Sequence, residues 1–197
     1  MLGTTNAKVR PNKRIIPINY VEYLESTGAQ YIDTGFKPNQ NTKVELKLSS
    51  NETNKGYFGC NTSTNGGFVF YEENGKYKYK YNTNGMASSV AHSNDILTFI
   101  IDKNEVYMNG NNIITVTAST FNTDYNAYIF GWNQAGTLRN PCSMKLYYCK
   151  IYDNDVLIRD LKPCKDGAEV YCLYDEVDKR YYYNQGSDSF TGGASIW

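Results

Sequence analysis

An aromatic residue flanked by amides is the part of this sequence best suited to recognising a ligand. Trp132 follows a glycine within residues 130–136, and Asn133 and Gln134 stand beside it. An exposed indole ring can lie against the flat face of a sugar while neighbouring amides bond the sugar's hydroxyl groups. We therefore take Trp132, Asn133 and Gln134 as candidate binding residues for a glycan or a protein receptor. The alternative is that Trp132 caps a hydrophobic core.

Catalysis by paired carboxylates is not favoured. Cleavage of a glycosidic bond would need two carboxylates on one face of a strand, as the spacing Glu-x-Asp-x-x-Glu provides. The sequence has no such run. Its nearest acidic cluster, residues 175–178, precedes Lys179 and Arg180 and is interpreted as a solvated turn. Glu72 and Glu73 flank a predicted hairpin turn and receive the same interpretation.

Nucleophilic catalysis has no recognisable base. A serine or cysteine nucleophile is normally activated by a histidine. The single histidine, His92, lies in the segment 88–94 and is interpreted as a loop histidine. The glycine pairs lack the strand-to-helix context of a phosphate-binding loop. We therefore expect a protein that is not an enzyme and holds no organic cofactor.

Short strands separated by turns are the elements that must position these residues. Residues 43–48 alternate between polar and apolar side chains, as a strand with one face in water does. Residues 96–102 are the most apolar segment and predict a central strand, and residues 128–131 predict a further buried strand. No segment has the pattern of an amphipathic helix. Ten or more short strands at this spacing predict an all-β fold, an antiparallel two-sheet β-sandwich of the jelly-roll type.

Two Asn-Gly pairs predict β-hairpins, because both central residues of the favoured two-residue turn need a positive φ. They are Asn74-Gly75, ahead of residues 77–81, and Asn109-Gly110. Lysine alternates with tyrosine in residues 77–81, which predicts one aromatic face and one charged face. The lysines also predict an edge strand, since they discourage pairing with other chains.

Length and composition fit one β-sandwich domain. The 197 residues suffice for such a domain, and the balance of 20 basic and 20 acidic residues argues against a nucleic-acid-binding protein. No apolar run approaches the ~20 residues of a membrane span. The five cysteines are odd in number and include no Cys-x-x-Cys pair. We predict that they are reduced thiols filling strand positions rather than zinc ligands.

The first 14 residues differ from the rest of the chain, because they are basic and contain no acidic residue. We expect a basic N-terminal arm over residues 1–14 and a single domain over residues 15–197. The arm is either a disordered terminus or an anchor on a neighbouring subunit. It lacks the apolar core of a secretory signal, which predicts synthesis in a cytoplasm without export by the usual route. The charges of the arm are Lys8, Arg10, Lys13 and Arg14.

Two parts of the sequence carry a family resemblance. Residues 20–38 read Tyr-Val-Glu-Tyr-Leu-Glu-Ser-Thr-Gly-Ala-Gln-Tyr-Ile-Asp-Thr-Gly-Phe-Lys-Pro. The C-terminal part contains the segments 146–154, 157–164, 170–173, 183–186 and 189–192. These parts resemble the opening and closing strands of laminin-G-like, concanavalin-A-like jelly rolls found in tailed-phage virion proteins and gut-bacterial surface proteins. The resemblance is specific for fold, and this fold carries many unrelated functions.

The resemblance implies a non-enzymatic virion protein, such as a capsid decoration or fibre. Its arm would dock it on other virion proteins or on copies of itself, and its outer loops would contact host or mucosal glycans. The alternative is a stand-alone bacterial carbohydrate-binding module, and a glycoside hydrolase is a less favoured third reading. The resemblance also allows one calcium ion at a rim, although no Asp-x-Asp-x-Asp spacing is present. Its candidate ligands are Asp33, Asp102, Asp124 and Asp153.

Overall fold

The computed structural model describes residues 18–62 and 66–196. The basic arm, with Lys8, Arg10, Lys13 and Arg14, lies outside these residues, as does Trp197. Strands and turns make up the described part, which contains no helix and therefore none long and apolar enough to cross a membrane.

The described residues contain nineteen strands. They are β1 (Asn19–Tyr20), β2 (Leu24–Glu25), β3 (Ile32–Asp33), β4 (Thr42–Ser49), β5 (Gly56–Asn61), β6 (Gly67–Glu73), β7 (Lys76–Asn82), β8 (Asn84–Ala91), β9 (Leu97–Asp102), β10 (Glu105–Met108), β11 (Asn111–Thr115), β12 (Tyr128–Ile129), β13 (Trp132–Gln134), β14 (Thr137–Arg139), β15 (Lys145–Asp153), β16 (Val156–Lys165), β17 (Tyr171–Asp175), β18 (Arg180–Tyr182) and β19 (Thr191–Gly192).

The strands form two sheets packed as a β-sandwich, which confirms the predicted all-β fold and is compatible with a jelly roll. The larger sheet runs β11-β10-β9-β4-β15-β16-β17-β18, with β1, β2 and β19 paired alongside this path. The smaller sheet runs β14-β13-β5-β6-β7-β8, with β12 and β3 paired beside β5. The pairings are antiparallel except that of β13 with β5.

Period-two alternation positions the core. In β4 every second residue is buried, as predicted for residues 43–48. Tyr77, Tyr79 and Tyr81 of β7 point into the core, while the intervening lysines stay half-exposed. The hydroxyl of Tyr79 donates to the carbonyl of Lys103 (2.6 Å) in the larger sheet, and burial raises the pKa of this phenol. Each of these tyrosines therefore adds apolar bulk, and Tyr79 also ties the two sheets together.

Two further segments behave as their apolar character predicts. The segment 96–102 contains β9, which pairs with β4 on one side and β10 on the other. The segment 128–131 contains β12, where both residues are buried, and continues into buried Phe130. β9 is thus interior to its sheet, although its residues alternate between buried and half-buried and Ile96 just before it is exposed.

Both predicted Asn-Gly hairpins form. Asn74 and Gly75 have φ values of 55° and 73°, and Asn109 and Gly110 have 49° and 85°. Further two-residue turns were not predicted. Two examples are the turns that join Asp102 to Glu105 and Asp153 to Val156. These turns use Lys103-Asn104 and Asn154-Asp155, which lack the Asn-Gly signature.

The prediction that residues 77–81 form an edge strand is wrong. β7 pairs with β6 on one side and β8 on the other. The sequence of β8 is Asn-Gly-Met-Ala-Ser-Ser-Val-Ala, and five consecutive residues from Gly85 are small or exposed, so it carries no alternating apolar pattern. Its pairing with β7 comes from the tight turn after Tyr81 rather than from a buried face.

The five cysteines are free thiols, and all five are buried. Four lie in strands, as predicted, and Cys142 lies in the segment before β15. Burial raises the pKa of the Cys60 thiol to about 11 and that of Cys142 to about 12, so both stay protonated at neutral pH.

Candidate functional site

The three sequence-predicted binding residues form β13, but they do not share a face. Alternate residues of a strand point to opposite sides. Trp132 and Gln134 are half-buried on the outer side of the smaller sheet, whereas Asn133 points inward and is 3% exposed. Two of the three therefore reach solvent.

Asn133 shapes the loop that follows β13. Its Nδ2 donates to the carbonyl of Asn126 (3.0 Å), and its Oδ1 accepts the backbone N–H of Gly136 (2.7 Å). Both ends of this amide are thus used within the protein. Asn133 fixes the turn between β13 and β14 and is not available to a ligand.

The indole of Trp132 lies flat on the sheet because Gly56 leaves room for it. A Cβ added to Gly56 would stand 2.4 Å from Cε3 of Trp132. The indole does not belong to the core cluster of buried apolar side chains. Trp132 therefore covers the outer surface of the smaller sheet and does not cap the core.

A second ring extends this surface. Tyr71 of β6 is half-buried, and its ring centroid lies 5.6 Å from that of Trp132, with 55° between the planes. Tyr71 stands opposite Gly56 in the register of β5 and β6, which brings it beside the indole. Burial, followed by the nearby Glu73 carboxylate, raises the pKa of Tyr71, so its hydroxyl stays neutral at physiological pH.

Polar side chains form a connected row beside the rings. Nζ of Lys80 donates to Oδ1 of Asn61 (2.7 Å), and Nδ2 of Asn61 donates to Oε1 of Gln134 (3.0 Å). The same Gln134 oxygen accepts the indole N–H of Trp132 (3.2 Å). The row spans β7, β5 and β13, so three strands hold these groups in fixed positions.

The charges of this surface are only partly balanced. Lys78 forms an ion pair with Glu73. Lys80 and Arg139 make no ion pair with any residue of the described ranges 18–62 and 66–196. Burial lowers the pKa of Lys80, because its ammonium has lost water without gaining a carboxylate.

Together these side chains surround a shallow depression of about 240 Å³. Its open, mixed polar and aromatic lining differs from the enclosed pockets of roughly 300–1,000 Å³ that hold most small ligands. We call this surface the Trp132 face. It consists of Asn61, Val69, Tyr71, Glu73, Lys80, Trp132, Gln134, Arg139 and Asn140.

Most residues of the Trp132 face were not predicted from the sequence, although part of the pattern that positions them is local. The Asn74-Gly75 turn fixes the register of β6 and β7, which sets Val69 opposite Lys80 and Tyr71 opposite Lys78. Outward-pointing residues of this hairpin could therefore have been paired in advance. The parallel pairing of β13 with β5, which brings Gln134 beside Asn61, has no local signature in the sequence.

The interpretation of Glu72 as a solvated turn residue is wrong. Its side chain is fully buried, and its carboxylate accepts the backbone N–H groups of Asn54, Gly75 and Lys76. Glu72 therefore caps the hairpin turn from inside the sandwich. Glu73, the next residue, is half-exposed on the opposite face.

Asp175 is also buried, although the turn after it was predicted correctly. Residues 176–179 form the turn before β18. Oδ1 of Asp175 accepts the backbone N–H groups of Asp160 (2.9 Å) and Val177 (3.0 Å), and Oδ2 lies 3.7 Å from Nε of Arg159. This carboxylate holds the end of the β17–β18 hairpin in place.

The remaining candidates lie apart from one another. Asp33 accepts the backbone N–H of Gly35 (2.8 Å), and Asp153 accepts the amide of Asn39 (2.9 Å). Across the described part of the chain, no group of three or more His, Cys, Asp or Glu side chains is placed to hold a metal ion. His92 lies just after β8, with its ring centroid 5.7 Å from that of Tyr77, in the loop that its sequence predicts.

Comparison with known proteins leaves the family of this chain open. No protein-family model matches it, and no curated protein matches it in sequence. Its function must therefore be inferred from its own residues and from the resemblance of its terminal segments.

Proposed function

We propose that this chain is a non-enzymatic glycan-recognition protein of a phage particle and that the Trp132 face is its contact surface. The observation that carries the proposal is the pairing of two half-buried rings, Trp132 and Tyr71, with a fixed row of amides. Trp132 and Tyr71 offer apolar surface for the face of a sugar ring. Unlike buried Asn133, Asn61 and Gln134 are half-buried at the edge of these rings, and the N–H groups that their internal hydrogen bonds leave unused can donate to sugar hydroxyls.

The charges of the Trp132 face favour a glycan that carries an acidic group. Lys80 and Arg139 lie at the same depression and have no carboxylate partner among the described residues. A carboxylate or sulfate on the glycan would form charge-assisted hydrogen bonds with them, which are stronger than bonds between neutral groups. We therefore expect uronic-acid-containing or sulfated glycans to bind more tightly than neutral ones of the same length.

A glycan array tests this contact surface directly. The full chain is applied to immobilised neutral, uronic-acid-containing and sulfated oligosaccharides, and bound protein is detected by a tag. We expect binding to a subset of glycans, with acidic members prominent. Absence of binding to every oligosaccharide on a broad array would overturn the glycan-recognition proposal.

The virion part of the proposal depends on the resemblance of residues 20–38 and of the C-terminal segments to phage jelly rolls. A shallow site of this kind binds one sugar weakly, and many copies on one particle raise the overall affinity without new contacts. In this proposal the basic arm of residues 1–14 docks each copy on another virion protein or on a second copy of this chain.

Particle association is a separate experiment. Purified particles are analysed by mass spectrometry, and particles assembled with a chain lacking residues 1–14 are compared with them. We expect the full chain on particles and loss of the shortened chain, with unchanged thermal unfolding of the isolated shortened protein as the control. A chain absent from particles but positive on the glycan array would instead support a stand-alone carbohydrate-binding module.

A further inference from the structure

Two cysteines face each other across the β16–β17 hairpin. Cys164 is paired with Cys172 in the register of these strands, and their Sγ atoms are 3.6 Å apart. Directly opposed residues of antiparallel strands have Cα atoms about 4.5 or 5.5 Å apart. Both distances fall within the roughly 4.4–6.8 Å that a disulfide spans. Rotation of the side chains is thus sufficient to bring the sulfurs together.

The pair lies on the outer side of the larger sheet. Lys162 and Tyr174 form the adjacent pair on the same face, because they are two residues away on each strand. Neither thiol belongs to the core cluster, whereas Leu161 and Leu173 of the same strands do. The two sulfurs are therefore covered by a single layer of strand and side chain, to which Tyr20 of β1 contributes through its pairing with Cys164.

The other three cysteines lack this arrangement. Among the described residues, Cys164 and Cys172 are the only cysteines with a second sulfur within hydrogen-bonding distance. Cys142, for comparison, contacts the hydroxyl of Ser50 at 3.3 Å. A two-electron oxidation within the chain thus has one favoured position.

We propose that Cys164 and Cys172 are a modification site that closes to an intrachain disulfide when the protein meets an oxidising thiol–disulfide pool. This inference is independent of the proposed glycan recognition. The oxidant is a low-molecular-weight disulfide such as glutathione disulfide. One cysteine thiolate attacks it, forming a mixed disulfide and releasing one glutathione thiolate. The second cysteine then attacks the mixed disulfide and releases the second glutathione.

The two steps balance. Two protein thiols are oxidised to one S–S bond, glutathione disulfide is reduced to two glutathione molecules, and these carry away the two protons. The hydrogen bond to Cys172, followed by burial, raises the pKa of Cys164, which keeps its proton in place. Because both thiols are buried, the hairpin must open before the attack, and the reaction is slow under native conditions.

Closure would cross-link β16 to β17 around the turn that holds Asp166. Such a link stabilises a protein mainly by restricting the unfolded chain. The expected consequence is a Tm higher by several degrees in the oxidised protein, reversed by dithiothreitol.

Peptide mapping under non-reducing conditions tests the proposal. The full chain is incubated in native buffer with glutathione disulfide, and free thiols are then blocked and the protein is digested. Trypsin cuts after Lys165, so the two cysteines fall on separate peptides that only a disulfide can hold together. We expect these two peptides to appear as one species that lacks two hydrogen atoms and separates on reduction.

Matched variants complete the test. Cys164→Ser and Cys172→Ser should each abolish the Tm increase on oxidation, whereas Cys60→Ser should retain it. If a variant fails to fold, the wild-type peptide map still decides the matter. Free thiols at both positions after prolonged oxidation, or links scattered over all five cysteines, would overturn the proposal.

Discussion

In the larger sheet, lysines lie over tyrosine rings, whereas in the smaller sheet the rings of the Trp132 face carry no cation from the described residues. Nζ of Lys145 is 4.4 Å from the ring centroid of Tyr23, and Nζ of Lys43 is 4.8 Å from that of Tyr152. We call this surface the tyrosine–lysine face. Its four pairs are Lys43–Tyr152, Lys47–Tyr147, Lys145–Tyr23 and Lys162–Tyr20.

The two faces contain similar residues, but the rings and lysines are paired with each other only on the tyrosine–lysine face. On the tyrosine–lysine face each ring already has a cation, and Lys43 and Lys162 also have carboxylate partners. On the Trp132 face the rings are bare and Lys80 has no carboxylate partner within the described part of the chain. A ligand gains most where the protein has not already satisfied its own groups. Exposed aromatic and cationic residues therefore mark a binding surface only where they are not paired with each other.

Removing one aromatic ring from each face should give the largest difference in glycan affinity between the two faces. We expect Trp132→Ala to weaken glycan binding at least about tenfold, which corresponds to about 1.4 kcal/mol. Tyr147→Ala, the matched change on the tyrosine–lysine face, should leave affinity within about twofold. Isothermal titration calorimetry with a glycan found on the array measures both. Equal losses for the two variants would erase the distinction between the faces.

Filling the space under the indole should have the next largest effect. Gly56→Ala places a methyl group against Trp132 and should push the ring off the sheet, reducing glycan affinity several-fold. Gly167→Ala is the control, since a Cβ at Gly167 meets no atom within 4 Å. The same titration is used, with near-ultraviolet circular dichroism to follow the tryptophan environment. Full affinity in Gly56→Ala would mean that the position of the indole is unimportant.

Replacing Lys80, which has no carboxylate partner among the described residues, should change the affinity for acidic glycans alone. Lys80→Gln should lower affinity for a uronic-acid-containing oligosaccharide about three- to tenfold and leave affinity for its neutral counterpart nearly unchanged. Lys47→Gln, on the tyrosine–lysine face, should change neither. Titrations at low and high salt measure the effect, which added salt should weaken. A loss of neutral-glycan binding equal to the loss of acidic-glycan binding would contradict a charge-specific role for Lys80.

A change of pH should alter glycan affinity less than any of these substitutions. Because burial lowers the pKa of Lys80, this ammonium loses its proton at a lower pH than an ordinary lysine does. Affinity for an acidic glycan should therefore fall as pH rises from about 7 toward about 10. Arginine remains charged over this range, so Lys80→Arg should flatten the profile. A profile that stays sloped in Lys80→Arg would assign the titration to another group.

Local patterns predicted the fold better than the site. Alternation in β4 and β7 and the two Asn-Gly turns indicated strands and hairpins correctly, because these features depend on neighbouring residues. Sequence spacing also put Trp132 beside Gln134. It could not indicate that Asn133 would turn inward to hold its loop, because that depends on the pairing of β13 with β5 and β14.

The burial of two acidic residues was also not predicted from the sequence. Glu72 and Asp175 looked like surface residues because acidic side chains near turns are usually solvated. Each instead accepts backbone N–H groups inside the sandwich, where the carboxylate replaces water as the acceptor. Only the three-dimensional course of the hairpins reveals which turn closes over its own carboxylate.

NMR chemical-shift mapping measures where on this protein a glycan binds. The ¹⁵N-labelled full chain is titrated with an acidic oligosaccharide selected on the array, and backbone and indole N–H signals are followed. We expect the shifts to gather on β5, β6, β7 and β13 and to include the indole N–H of Trp132, which bonds Gln134 in the free protein. Shifts that gather on the tyrosine–lysine face, with the Trp132 signal unmoved, would contradict the account.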